Sequence, residues 1–244
     1  LDESEHAVLV SSLEANVARA TLDYMERTLR RIVRFLEGIA VDSAYGKDLL
    51  LVFDDEQRYY EYVSHYYREP GEYPASGGMH IDAGCSHFVT VKADLASIEP
   101  VIAHEMTHGC LAHLPLPLWL NEGIAVNMEW RLAGSRTAVE HAAELRDKHV
   151  AFWGAEEIQQ FWSGKSFDRT DDGRSLSYDL ARVMVEQLAK DWNSFRLFAS
   201  AASWSDAGAE AAKTHLGIDL GAFAAALVGK DAASGWSPAE PRSA

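Results

Sequence analysis

His104-Glu105-Met106-Thr107-His108 lies inside an apolar, helix-patterned run, and the rest of the chain is best read outward from it. Residues four apart are about one helical turn apart, so both imidazoles project from one face and can grip one ion. Glu105 stands about 100° around from His104, placed to reach a water on that ion without ligating it. Two neutral nitrogen ligands plus a carboxylate that takes a proton from the water are what metal-assisted hydrolysis requires. Upstream, Ser97-Ile98-Glu99-Pro100 reads as a helix start, with Ser97 as N-cap and Pro100 in the tolerant first turn. Val101, Ile102, Leu111 and Leu114 give the apolar positions, and Pro115 and Pro117 end the run. The competing reading is a partly buried helix whose histidines bond core carbonyls.

A catalytic zinc normally takes three protein ligands and keeps one position for water. The stretch Leu116-Pro117-Leu118-Trp119-Leu120-Asn121-Glu122-Gly123-Ile124-Ala125 supplies candidates for the third. A second helix starting near Leu118 would carry Glu122 back alongside the first, across a span of thirteen residues after His108. Glu129 competes for the same role. The small residues Gly123 and Ala125 favour Glu122, because they let two helices approach closely there.

These residues carry a resemblance. His104-Glu-Met-Thr-His108 followed by Trp119-Leu-Asn-Glu-Gly-Ile-Ala125 resembles the Glu-zincin peptidases, whose aminopeptidase branch has H-E-x-x-H and then W-L-N-E-G-F-A. The shorter spacer here is more similar to the bacterial peptidase MA-like domains, where a compact H-E-x-x-H helix leads into P-x-W-L-N-E-G-x-A. The likeness runs from about residue 49 to about 200 and is specific across 104–125. It implies one Zn2+ per chain held by His104, His108 and Glu122, with Glu105 as catalytic base. It also implies a zincin-like α+β fold: a small mixed sheet packed on the H-E-x-x-H helix, then a mainly helical C-terminal part. In the resembling families a downstream tyrosine donates its hydroxyl to the developing oxyanion, a role that falls to Tyr178; the plainer reading is a core tyrosine with a satisfied hydroxyl. Gly77-Gly78-Met79-His80 is similar to the G-x-M-E-N of the aminopeptidase branch, but His80 replaces the Glu that grips a free α-amine and Ile81 replaces the Asn. That departure argues against aminopeptidase activity. Gly78, Met79 and His80 are carried over as substrate-binding positions on a strand that pairs with extended peptide.

The totals fit this reading. At 244 residues and 48% hydrophobic content the chain has material for one globular domain with helical additions. No apolar run approaches the ~20 residues of a membrane span, and the net charge of −15 argues against a nucleic-acid surface. A soluble chain is expected, cytoplasmic or exported with its leader removed, acting on a peptide or protein; its oligomeric state stays open. Cys85 and Cys110 cannot form a disulfide framework, though one bridge is possible.

In order, residues 1–45 are expected as an N-terminal helical segment packed on the domain, its helix running from about Ser11 to Gly38 and carrying Arg27, Arg30, Arg31 and Arg34 opposite local carboxylates. Residues 46–230 are expected as the catalytic domain with a helical C-terminal subdomain, and 231–244 as a disordered tail. Lys47–Phe53 reads as a buried strand, Asp54-Asp55-Glu56 as the start of a tyrosine-rich helix, and Pro70–Gly78 as a loop. A hairpin follows over Gly78–Asp82 and His87–Lys92, turning at Ala83-Gly84. Helices are expected over Arg136–Phe152, from Ser175, and over Phe195–Ser200, Ala207–His215 and Leu220–Val228.

The expected activity is zinc-dependent hydrolysis of peptide bonds, with Asn121 a candidate to orient an imidazole. One alternative is a catalytically inactive zincin-like module that binds peptides or partners. Another is a structural zinc held by Cys85, His87, Cys110 and His113.

Overall fold

The computed structural model describes residues 1–42, 46–66, 78–81, 83–93, 95–134, 142–231 and 235–239. It is mixed α+β with one five-stranded sheet. The chain divides into two compact units, Leu1–His113 with Met128–Gly134 and Leu114–Asn127 with Ser135–Ala244. The expected loop over 70–77, and residues 136–141 of the expected helix, lie outside the described residues.

The first unit holds strands β1 (Asp2–Glu3), β2 (Ala7–Val10), β3 (Asp48–Phe53), β4 (Gly78–Ile81) and β5 (His87–Val91). They lie in the order β1-β2-β3-β5-β4, with β2, β3 and β5 parallel and the two outer strands antiparallel to their neighbours. No domain boundary falls near residue 45, because β2 pairs with β3 from Ala7↔Asp48 to Val10↔Leu51. Residues 1–45 hold the expected long helix, at Ala15–Phe35, together with two strands, β1 and β2, that the helical reading did not include. Ala7 and Leu9 are buried, but an alternation only four residues long carries little periodic signal, and its pairing partner is distant in sequence.

Three helices cover this sheet: α1 (Ala15–Phe35), α2 (Glu56–Val63) and α3 (Leu95–Leu111). Along α1 the stripe Ala18, Leu22, Met25, Leu29 and Ile32 is buried, and Tyr24 Oη donates to the Glu99 carbonyl of α3 at 3.0 Å. Of its arginines, Arg30 stands 3.9 Å from Glu26, whereas Arg31 donates to the Leu132 carbonyl. Asp55 caps α2 by accepting from the Arg58 N–H at 2.9 Å. Helix α3 begins at Leu95, so Ser97 is inside it rather than its N-cap, and Pro100 is an interior proline. Pro100 has no N–H to give the Ala96 carbonyl, a local loss the flanking apolar burial of Ile98, Ile102 and Ala103 outweighs.

The alternation of β5 decides what each face of the sheet meets. Val89 packs with Tyr59, Val63 and Ile81, while His87 Nε2 meets Tyr62 Oη at 2.7 Å, all on the α2 side. Phe88 faces α3, where a Cβ added to Gly109 would stand 3.2 Å from its ring. Because Gly78 pairs with Thr90 and His80 with Phe88, Gly78 and His80 share the α3 face, while Met79 joins the α2 cluster.

The second unit begins with most of α4 (Leu118–Glu129), followed by α5 (Ala142–Phe152), α6 (Ala155–Trp162), α7 (Asp172–Leu188), α8 (Trp192–Ala201), α9 (Ala209–Leu216) and α10 (Leu220–Leu227). Its core is aromatic: Trp119, Trp153, Phe161 and Phe198 are fully enclosed. Three buried indole N–H groups have partners, Trp119 the Ala207 carbonyl at 3.0 Å, Trp153 His149 Nδ1 at 2.8 Å and Trp162 the Trp236 carbonyl at 2.7 Å. The last of these corrects the expected disordered tail over residues 235–239. Trp236 is buried there and Gln159 Nε2 donates to the Gly235 and Ser237 carbonyls, so one aromatic ring anchors a segment otherwise poor in apolar residues. No described helix is long and apolar enough to cross a membrane.

Candidate metal centre

The site is built on the last three turns of α3. His104 and His108 project from the same face, their ring centroids 4.8 Å apart and their planes at 77°. One ligand atom each from His104, His108 and Glu122 lie within 4.8 Å of one another, the one such group of His, Cys, Asp or Glu among the described residues. Ligand atoms ~2.0–2.1 Å from a tetrahedral ion are separated by about 3.4 Å. Two imidazoles and one carboxylate make a borderline-soft donor set suited to a divalent transition ion rather than to Ca2+ or Mg2+.

Glu105, next along the helix, is only 8% exposed. It borders a small apolar space lined by Met25, Leu50, Phe88, Val101 and Ile102. Thr107 Oγ1 donates to the Ala103 carbonyl at 2.7 Å, which satisfies a fully buried hydroxyl inside the helix. Seven residues beyond Glu122 on the continuous helix α4, Glu129 Oε2 lies 3.1 Å from His104 Nδ1. The sequence offers Asn121 as a candidate to orient an imidazole and Glu129 as a rival ligand, and the structure sets the Glu129 carboxylate against His104. The signal for that contact was the seven-residue spacing, which returns to within about 20° of the same helix face.

Of the three positions expected to meet substrate, two face α3. The His80 ring stacks on that of His108, with centroids 6.5 Å apart and planes at 23°, and its Nε2 is 2.7 Å from Ser86 Oγ. Gly78 lets β4 sit against α3, since a Cβ there would come within 2.3 Å of Val101 Cγ1. Met79 points to the opposite face of the sheet, into the α2 cluster. Among the described residues β4 ends the sheet.

Tyr178 lies in the second turn of α7 rather than at its start. Its ring meets Phe167 edge-on at 5.1 Å, and the Arg174 guanidinium lies 5.5 Å from the ring centre. Gly123 does not serve the role expected of it. A Cβ there would stand 2.5 Å from the Ala181 carbonyl oxygen, so the glycine admits α7, and Asn127 Nδ2 bridges the Gly123 and Arg182 carbonyls at the same seam.

Cys85 is exposed, Cys110 is buried and neither is bridged. His87 is engaged by the Cys85 carbonyl and Tyr62, and no structural zinc group forms from Cys85, His87, Cys110 and His113 among the described residues. Burial, and then the charges of Asp48 and Asp42, push the Cys110 thiol up, as for an inert core cysteine.

No protein-family model, curated protein or solved structure matches this chain.

Proposed function

We propose that the chain is a zinc-dependent metallopeptidase of zincin-like fold, with peptides or proteins as substrates. The observation that carries this reading is the convergence of His104, His108 and Glu122 to within 4.8 Å, with Glu105 one residue along the same helix. Zinc held by these three residues would lower the pKa of its water to about 7 and polarise a substrate carbonyl. Glu105 takes the proton from the attacking water and delivers it to the leaving amine. Its low exposure suits that task, because a base shielded from bulk water exchanges its proton with the reactants rather than with solvent. Tyr178 is the proposed donor to the oxyanion, a contribution worth roughly 3 kcal/mol for one such group. Its support is local: α7 sits against α4 at Gly123, the residue after Glu122, and Tyr178 precedes Ala181 at that contact by about one turn. Strand β4, which ends the sheet among the described residues, is the proposed place for an extended peptide, with His80 on the side of His108.

The test is chelator-sensitive cleavage of casein or a quenched-fluorescence peptide library by Zn2+-loaded protein. Glu105→Gln should keep the metal and lose turnover, since the acid–base group goes while the ligands stay. Glu122→Ala should lose metal by elemental analysis. Turnover retained in Glu105→Gln would refute the base assignment. One bound zinc with no cleavage of any peptide would point instead to a binding module.

A further inference from the structure

We infer that Glu129 is a positioning residue for His104: it fixes which ring nitrogen faces the metal. The inference rests on the metal-centre reading above and adds to it a residue that is not a ligand. A carboxylate only accepts hydrogen bonds, so the nitrogen it contacts must carry the proton. The contact is between Glu129 Oε2 and His104 Nδ1 at 3.1 Å. His104 is therefore held as the Nδ1–H tautomer, and its Nε2 lone pair points across the ring, away from Glu129. An imidazole held this way is both oriented and made more basic toward a cation.

The local fold supports the role from the other side. Glu129 is the last α-helical residue of α4, and the chain then widens into a π-helical turn, Trp130–Gly134. Such turns are rare and persist where something holds them. Here the holder is α1. The Arg131 guanidinium lies 4.1 Å from the centre of the Phe35 ring, Arg31 Nη1 donates to the Leu132 carbonyl at 3.4 Å, and the Leu132 side chain is buried. Residues 128–134 accordingly belong to the same compact unit as α3. The end of α4 is thus fastened to the body that carries His104, which keeps the carboxylate in register with the ring. Glu129 retains 31% side-chain exposure, so its effect should be moderate rather than absolute.

The experiment measures Zn2+ affinity by competition with a chromophoric chelator for the parent chain, Glu129→Ala, Glu129→Gln and Glu122→Ala, with thermal unfolding of each metal-free form alongside. Glu129→Ala should weaken Zn2+ binding roughly 10- to 100-fold while still reaching one ion per chain. Glu129→Gln should recover part of the loss, because its amide oxygen still accepts from Nδ1–H, and it keeps the test open if the Ala variant fails to fold. Equal affinity in the parent and both Glu129 variants would overturn the positioning role alone. A parent chain that takes up no Zn2+ would overturn the metal centre and this role with it. Zero stoichiometry in Glu129→Ala beside full loading in Glu122→Ala would make Glu129 a ligand and overturn the assignment.

Discussion

Asp48 illustrates how a single group outside the site should make itself felt. It opens β3 with a partly buried carboxyl whose Oδ1 would lie 3.7 Å from a Cβ on Gly109, in the helix turn after His108. Burial first, and then the Glu26 carboxylate, push its pKa from the ordinary 3.8 to about 6, while His6 pulls the other way. A carboxyl with a raised folded pKa binds more protons folded than unfolded between those two values. Its stabilising contribution is therefore complete below about pH 4 and lost as the pH climbs through about 6. The shift corresponds to at most roughly 3 kcal/mol. Asp48→Asn removes that ionisation, so the variant should gain stability over the parent by up to roughly 2–3 kcal/mol between pH 4 and pH 8 in urea titrations. A difference that stays flat with pH would mean that Asp48 is ionised at ordinary cost in the folded chain. Nothing in the sequence Lys47-Asp48-Leu49 announces this behaviour, since it depends on what α1 and α3 place over the strand.

At the scale of elements, the decisive contact is that between α4 and α7. In an exposed helix Gly→Ala would gain about 1 kcal/mol from propensity. At Gly123 the new methyl would lie 2.5 Å from the Ala181 carbonyl oxygen and 2.7 Å from Val185 Cγ2. The first is backbone and cannot rotate away, and overpacking of this kind costs about 1–3 kcal/mol, so the clash should win. Gly123→Ala should unfold at lower temperature than the parent and carry less Zn2+, because the displaced helix also bears Glu122. A variant as stable as the parent would show that α7 yields freely. The sequence made the smallness of residue 123 plain but not which helix it admits, since periodicity identifies a face and not the neighbour that covers it. Strand β3, the β4–β5 hairpin and the start of α4 were legible because turn residues bound each one closely. Strands β1 and β2 were not, because their stability comes from long-range pairing, and neither was the start of α3, where apolar burial overrides the usual placement of Pro100.

For the molecule as a whole, the candidate site divides into a part written in local spacing and a part that is not. His104, Glu105 and His108 follow from one helical turn, whereas the contact of Glu129 with His104 depends on where an entire second helix ends. The same distinction sets what metal removal should do. An ion bound by the folded chain and not by the unfolded one stabilises by RT ln(1 + [L]/Kd), about 2.7 kcal/mol at a free concentration 100 times Kd. A chain of 244 residues shifts its midpoint by about 2–4 °C per kcal/mol, so chelation should lower Tm by roughly 5–10 °C and added Zn2+ should restore it. Glu105→Gln should show the full shift, because Glu105 is proposed as a base and not as a ligand, and in Glu122→Ala most of the shift should be lost. Mg2+ should not substitute, since it favours six oxygen donors over two imidazoles and a carboxylate. Identical melting curves with and without chelator, in the parent and in Glu122→Ala alike, would mean that the three converging atoms hold no ion in solution.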